Sequence, residues 1–156
     1  QHYKREFHFI LIDCPAGIER GFKNAVTAAE SAILVTTPEI SAIRDADRVI
    51  GLLSARGIDP WLVINRMDFD LVRRGDMLSV ADVQDILGIE IAGVVERDDG
   101  VIVAANNGEP VVYNQRSRAG MAFSKIADRL CGENVPIEEF LETGFWTRLG
   151  RRLGVA

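Results

Sequence analysis

An α/β fold, three layers deep with a mostly parallel sheet covered by helices, is what this 156-residue chain predicts. Short apolar runs alternate with helical patterns, the order of elements that builds a parallel sheet between helices. The apolar runs lack strict polar alternation, as strands do when both faces are buried. With 47% apolar residues the chain can bury one core, and its length argues for one domain.

The first run, residues 7–13, has strand length, ends in the carboxylate of Asp13 and turns sharply through Pro15, Ala16 and Gly17. In an open α/β sheet, an acid at the carboxyl end of a buried strand faces the ligand crevice. There it can hold the water shell of a Mg²⁺ on nucleotide phosphates, because that ion favours one or two carboxylates plus retained waters. Capping the next helix is the plainer alternative. A helix over 21–29 and a strand over 32–36 follow. Residues 41–56 predict a second helix, with Ile43, Ala46, Val49, Ile50 and Leu53 on one face and Arg44, Asp45, Asp47 and Arg48 elsewhere. Gly57 supplies its stop, and a charged face of this kind is most often solvated surface.

The strand at 61–65 ends in Asn65, whose amide can both donate and accept in the crevice or simply stabilise a turn. Residues 67–73 support no assignment. A helix over 79–87 carries Ser79 as N-cap and Asp82 at the third position, an acidic variant of the capping box. A strand at 91–95 and a short helix at 101–107 precede a clear helix, Arg118–Leu130, with Ala122, Phe123, Ile126, Ala127 and Leu130 on its core face.

A net charge of −5 argues against a general nucleic-acid binder. Cys14 and Cys131 stand far apart in unrelated contexts, which suggests reduced thiols, not a disulfide framework or a metal site. No apolar run approaches the roughly 20 residues needed to span a bilayer, so a cytosolic chain is expected. A P-loop nucleotide hydrolase cradles phosphates with a Gly-rich loop and a Lys at a helix N-terminus. No G-x-x-x-x-G-K-[ST] occurs here, and the chain begins at Gln1. The expectation is therefore a piece whose P-loop half lies upstream.

The end of the chain has its own character. Residues 133–136 read as a linker from the domain of residues 1–132 to a tail of residues 137–156. On a helical wheel Phe145, Trp146, Leu149 and Leu153 fall within about a 100° arc. Arg148, Arg151 and Arg152 occupy an adjacent face. Large apolar residues beside Arg describe a helix that lies in the membrane interface, its cations placed for anionic headgroups. Gly144, Gly150 and Gly154 make it a poor helix in water, at about 1 kcal/mol each relative to Ala. A last helix packed on its own domain is the alternative.

Six blocks, in order along the chain, carry a resemblance. They are Asp13-Cys14-Pro15-Ala16-Gly17-Ile18-Glu19, Thr36-Thr37-Pro38-Glu39, Arg44-Asp45-Ala46-Asp47-Arg48, Ile64-Asn65-Arg66, Arg74-Gly75-Asp76-Met77 and Asn107-Gly108-Glu109-Pro110-Val111. Together they resemble the MinD branch of the deviant-Walker ATPases, which act in bacterial division-site selection, from Phe7 to the end of the chain. The resemblance implies a P-loop NTPase-like fold whose P-loop would need on the order of a hundred further residues upstream. It implies ATP and Mg²⁺ as cofactors, with Asp13 assisting the Mg²⁺ shell, Pro15, Ala16 and Gly17 as a switch sensing the γ-phosphate, and Asn65 on the adenine edge. Of the residues after the last strand, only Asp98 carries over. Asp45 and Asp47 would lie on the face used by an ATP-dependent homodimer and by MinC-like and MinE-like partners.

The implied protein cycles between the cytoplasm and the inner face of the cell membrane, and no nucleic-acid partner is expected. Two other readings stay open: a related DNA-segregating or flagellar-number ATPase, and a non-enzymatic membrane scaffold.

Overall fold

A computed structural model describes residues 3–14, 17–18 and 20–137. Three parallel strands form its sheet, in the order β1 (Ile33–Thr36), β2 (Trp61–Met67), β3 (Ile91–Glu96). Ile33 to Thr36 pair in register with Trp61 to Ile64. The β2–β3 ladder runs from Leu62 opposite Ile91 to Met67 opposite Glu96, with irregularities after Leu62 and after Ile64. Helices α1 (Arg20–Ala28), α2 (Ile40–Ser54), α3 (Phe69–Arg74), α4 (Val80–Leu87), α5 (Gly100–Asn106) and α6 (Arg118–Leu130) occupy the connections.

Successive strand residues point to opposite faces, and each face has its own cover. On one side Ile43 and Ala46 of α2 and Val83 and Leu87 of α4 pack against Leu62, Ile64, Ile91 and Val94. On the other, Ala119 and Ile126 of α6 pack against Val63, Ala92 and Val95. Phe22 and Val26 of α1 form a smaller cluster with Leu53 and Ile58. Full burial of each such aliphatic side chain contributes about 1.5–3 kcal/mol, so the double cover of β2 and β3 is the main source of stability. In α6 the inward face is slightly rotated from the expected one: Ala119 is buried, whereas Ala127 is exposed.

The helix ends follow local chemistry. Ser79 Oγ accepts from the Asp82 N–H at 3.1 Å while Asp82 Oδ2 accepts from the Ser79 N–H at 2.9 Å, so the reciprocal capping box is complete. The helix missed in the sequence, α3, is capped by Asp68, whose Oδ1 accepts from the Asp70 and Leu71 N–H groups at 3.0 and 3.2 Å. Gly75 closes it in the left-handed region at φ 83°, a conformation that favours glycine.

One expectation is corrected. Residues 7–13 are not a strand: they have no ladder partner, and Phe9 and Leu11 are 65% and 88% exposed. No described segment pairs with the outer edge of β1 either, and Ile33 and Val35, on the face opposite Leu34, are exposed. An extended segment gains strand structure only by trading hydrogen bonds with a neighbour, and none of the described elements provides one here.

Gly93 sets how closely α6 approaches β3. A Cβ there would stand 2.4 Å from Ile126 Cγ1 and 2.8 Å from its Cδ1, and Ile126 is a stiff β-branched side chain in a helix. Gly93→Ala is expected to destabilise the chain by about 1–3 kcal/mol through overpacking, read as a lower denaturant midpoint. An unchanged midpoint would mean that α6 shifts freely on the sheet.

Candidate functional site

All three strands being parallel, their carboxyl ends lie together, and a crevice of about 870 Å³ opens beyond β2 and β3. Met67, Asp68 and Arg73 bound it on one side, Glu96 to Gly100 form its floor, and Asn114 with Ser117 and Arg118 form the far wall. This is where an open α/β sheet receives its ligand.

Asp98 organises the floor. Its Oδ2 accepts from the Ser117 hydroxyl at 2.6 Å and from the Ala119 N–H at 3.3 Å, and its Oδ1 accepts from the Gly100 N–H at 2.7 Å. One carboxylate thus joins the end of β3 to the first turns of both α5 and α6. Ser117, buried, also caps α6 by accepting from the Gly120 N–H at 3.0 Å. The Ser117 hydroxyl, followed by the Gly100 N–H, holds the Asp98 carboxyl below its ordinary value, with partial burial working the other way.

Asn65 lies two residues before the end of β2 and does not line the crevice; its Oδ1 accepts from the Arg66 N–H at 2.9 Å. Arg66 itself is left-handed, at φ 59°. Such backbone costs a non-glycine residue about 1–3 kcal/mol and concentrates at functional sites. Here the strain coincides with the irregularity between Ile64 and Met67, one residue before β2 ends beside the crevice. No sequence pattern announced it.

Asp13 is exposed, at the end of the unpaired segment, and Gly17 is left-handed at φ 99°. Among the described residues no cluster of three or more His, Cys, Asp or Glu side chains could hold a metal. A single carboxylate fits a Mg²⁺ carried mainly by phosphates and water, and does not fit an all-protein cage. Asp45 and Asp47 are exposed on α2, opposite its buried Ile43 and Ala46, and Asp45 meets Arg48 at 3.5 Å. Crevice and α2 face are therefore separate surfaces. Pro15, Ala16, Phe145, Trp146, Arg148, Leu149, Arg151, Arg152 and Leu153 lie outside the described residues. The 133–136 stretch is irregular and is held to the body by α6.

A parallel sheet between two helical layers, with its crevice beyond adjacent strand ends, defines an α/β protein of the P-loop NTPase fold. Comparisons with known proteins narrow the class. No family model matches the chain. It is 49% identical over 140 residues to the septum site-determining protein MinD of Bacillus subtilis, covering 88% of this chain and 52% of that protein. To MinD of Synechocystis it is 45% identical over 157 residues, 98% of this chain and 59% of the relative.

Among solved structures, the MinD cell division protein of Aquifex aeolicus superposes with a TM-score of 0.84 at 42% identity, covering 88% of this chain and 60% of that one. The MinC:MinD complex from the same organism gives 0.83 at 41%, over 92% and 58%. MinD of Pyrococcus horikoshii complexed with Mg-ADP gives 0.74 at 30%, over 83% and 52%. The chain belongs to the MinD family and corresponds to the C-terminal part of its members, spanning little more than half the length of these relatives.

The low Asp98 pKa gives a pH signature. A depressed folded-state value contributes stability that is present above the unfolded carboxylate value, about 3.9, and is lost as pH falls through the folded one. Asp98→Asn is therefore expected to lower the unfolding midpoint at neutral pH, and the gap to the unmodified chain should close in strong acid. Parallel pH curves for the two proteins would remove Asp98 from this role.

For Arg66, Arg66→Gly is expected to stabilise the chain by up to about 1 kcal/mol by relieving the left-handed strain. Thermal unfolding reads it, and a loss of stability would show that the guanidinium is needed for the fold.

Proposed function

We propose that this chain is the C-terminal part of an ATP-hydrolysing protein that dimerises with ATP, cycles on and off the membrane and places the division site by recruiting a division inhibitor. The observation that carries the proposal is the superposition on MinD at 42% identity over 88% of the chain, in a fold whose crevice lies where nucleotides bind. A relative solved with Mg-ADP supports the cofactors, ATP and Mg²⁺. A relative solved with MinC supports a MinC-like partner.

Each residue then has a task. Asp13 orients water on the Mg²⁺ shell, and Pro15, Ala16 and Gly17 respond to the terminal phosphate. Asn65 presents its amide toward the base edge, and Asp98 keeps the crevice floor in place. Bound Mg²⁺ supplies neutralising charge on the phosphates. The cradle that stabilises developing charge in phosphoryl transfer needs a Gly-rich loop with its Lys, so this chain alone is expected to show no hydrolysis above background. Asp45 and Asp47, exposed on α2, serve the dimer face and the MinC-like and MinE-like partners.

No helix among the described residues is long and apolar enough to cross a membrane. Membrane contact in this proposal belongs to Phe145, Trp146, Leu149 and Leu153, with Arg148, Arg151 and Arg152 on anionic headgroups. One short amphipathic segment binds weakly. Pairing two of them in an ATP-bound dimer multiplies the affinity through effective concentration, on the order of a hundredfold or more. Loss of the dimer releases the protein to the cytoplasm.

The test is sedimentation of the full-length parent with anionic vesicles under ATP and under ADP, beside Trp146→Asp. ATP should raise the pelleted fraction at least about tenfold, and the variant should stay in solution under both nucleotides. Equal partitioning with either nucleotide would sink the cycle. Pelleting of the variant like the parent would move membrane binding away from the tail.

A further inference from the structure

We infer that Arg129 is a positioning residue for the C-terminal segment: it sets the point where the chain leaves the α/β body and binds that point to β3. Its guanidinium donates to three backbone carbonyls. Nε reaches Val135 O at 2.8 Å, Nη2 reaches Pro136 O at 2.7 Å, and Nη1 reaches Ala92 O at 2.7 Å. Two of these oxygens lie in the stretch after α6 and the third lies in the strand. Only the planar fork of Arg spans three acceptors in this way; a Lys ammonium is a point donor on a flexible stem.

The surroundings are arranged for that reach. At the end of α6 the chain reverses through Gly132, at φ 90°, with the Glu133 N–H donating to Asp128 O at 3.0 Å. This 6→1 bond is the signature of a Schellman turn, and it sends the following residues back toward the sheet. Gly93 keeps the floor under the guanidinium bare, since a Cβ there would stand 3.2 Å from Arg129 Nη1. The stretch itself has little apolar hold: Val135 is half-buried, while Glu133, Asn134, Pro136 and Ile137 are exposed. The two hydrogen bonds to Val135 O and Pro136 O hold it to Arg129, and the third holds Arg129 to the strand.

Arg129 also sits at one end of a rigid connection. α6 is 13 residues long, about 20 Å at helical rise. Its first turn is tied to the crevice floor through Asp98, Ser117 and Ala119, and its last turn carries Arg129. Crevice wall and departure point are therefore two ends of one helix packed along one strand. Resting on the membrane-tail reading above, this gives Arg129 the work of fixing the tail's origin relative to the nucleotide crevice.

The experiment is amide hydrogen exchange on the full chain and on Arg129→Gln and Arg129→Lys. The Glu133 and Val135 amides, which donate to Asp128 O and Glu133 O, should exchange at least about tenfold faster in both variants. The Phe123 and Ile126 amides inside α6 should stay within about twofold. Arg129→Lys keeps the charge and the aliphatic stem, so it carries the test should the Gln variant fail to fold. Unchanged exchange at 133 and 135, or an equal rise along all of α6, overturns the inference, the latter by reducing Arg129 to a packing residue.

A parallel sedimentation with phosphatidylglycerol vesicles separates the two claims. Failure of the full-length parent to pellet under ATP counts against the membrane reading, while the exchange data decide the role of Arg129 alone.

Discussion

The fold depends on β2 being paired along both edges and covered on both faces. Leu62 and Ile64 are fully buried on one side, Val63 is buried on the other, and β1 and β3 meet only through this strand. Because both pairings are parallel, the strands deliver their carboxyl ends to one side of the molecule. The crevice is a geometric result of that alignment.

Single charges that each gather several hydrogen bonds order the molecule more than its exposed ion pairs do. The Asp45–Arg48, Arg74–Asp76 and Arg97–Asp99 pairs are all solvent-exposed, and exposed pairs contribute roughly 0–1 kcal/mol. Asp98 and Arg129 differ from them, because each spends its charge on several groups at once. The carboxylate gathers donors from two helix starts, and the guanidinium gathers acceptors from a strand and a turn. Both residues reach across long stretches of sequence, 19 residues from Asp98 to Ser117 and 37 from Arg129 to Ala92. For that reason neither contact leaves a local pattern to read.

What could be read was the periodic part. Strands β2 and β3, helices α2, α4 and α6 and the Ser79–Asp82 box lie within a residue or two of where the apolar spacing puts them. The misses have physical causes. α3 is six residues long and too short for periodicity to show, although Asp68 before it and Gly75 after it are cap signals. Residues 7–13 have the composition of a buried strand, but composition records what a segment can bury and not whether a neighbour is there to pair with it. Asn65 was open between crevice and turn on residue type alone; its Oδ1 accepts from the Arg66 N–H, a local bond to the next residue that leaves its amide N–H₂ outside that contact. The left-handed Arg66 is a tertiary compromise at a strand end and has no sequence signature at all.

The outer edge of β1 has a practical bearing on how this chain behaves as a material. Among the described residues it has no partner strand, and Ile33 and Val35 beside it are exposed. An open, apolar edge of that kind is a template for intermolecular strand addition. Crowding many copies together favours precipitation through that edge, and dilution or a covering strand opposes it.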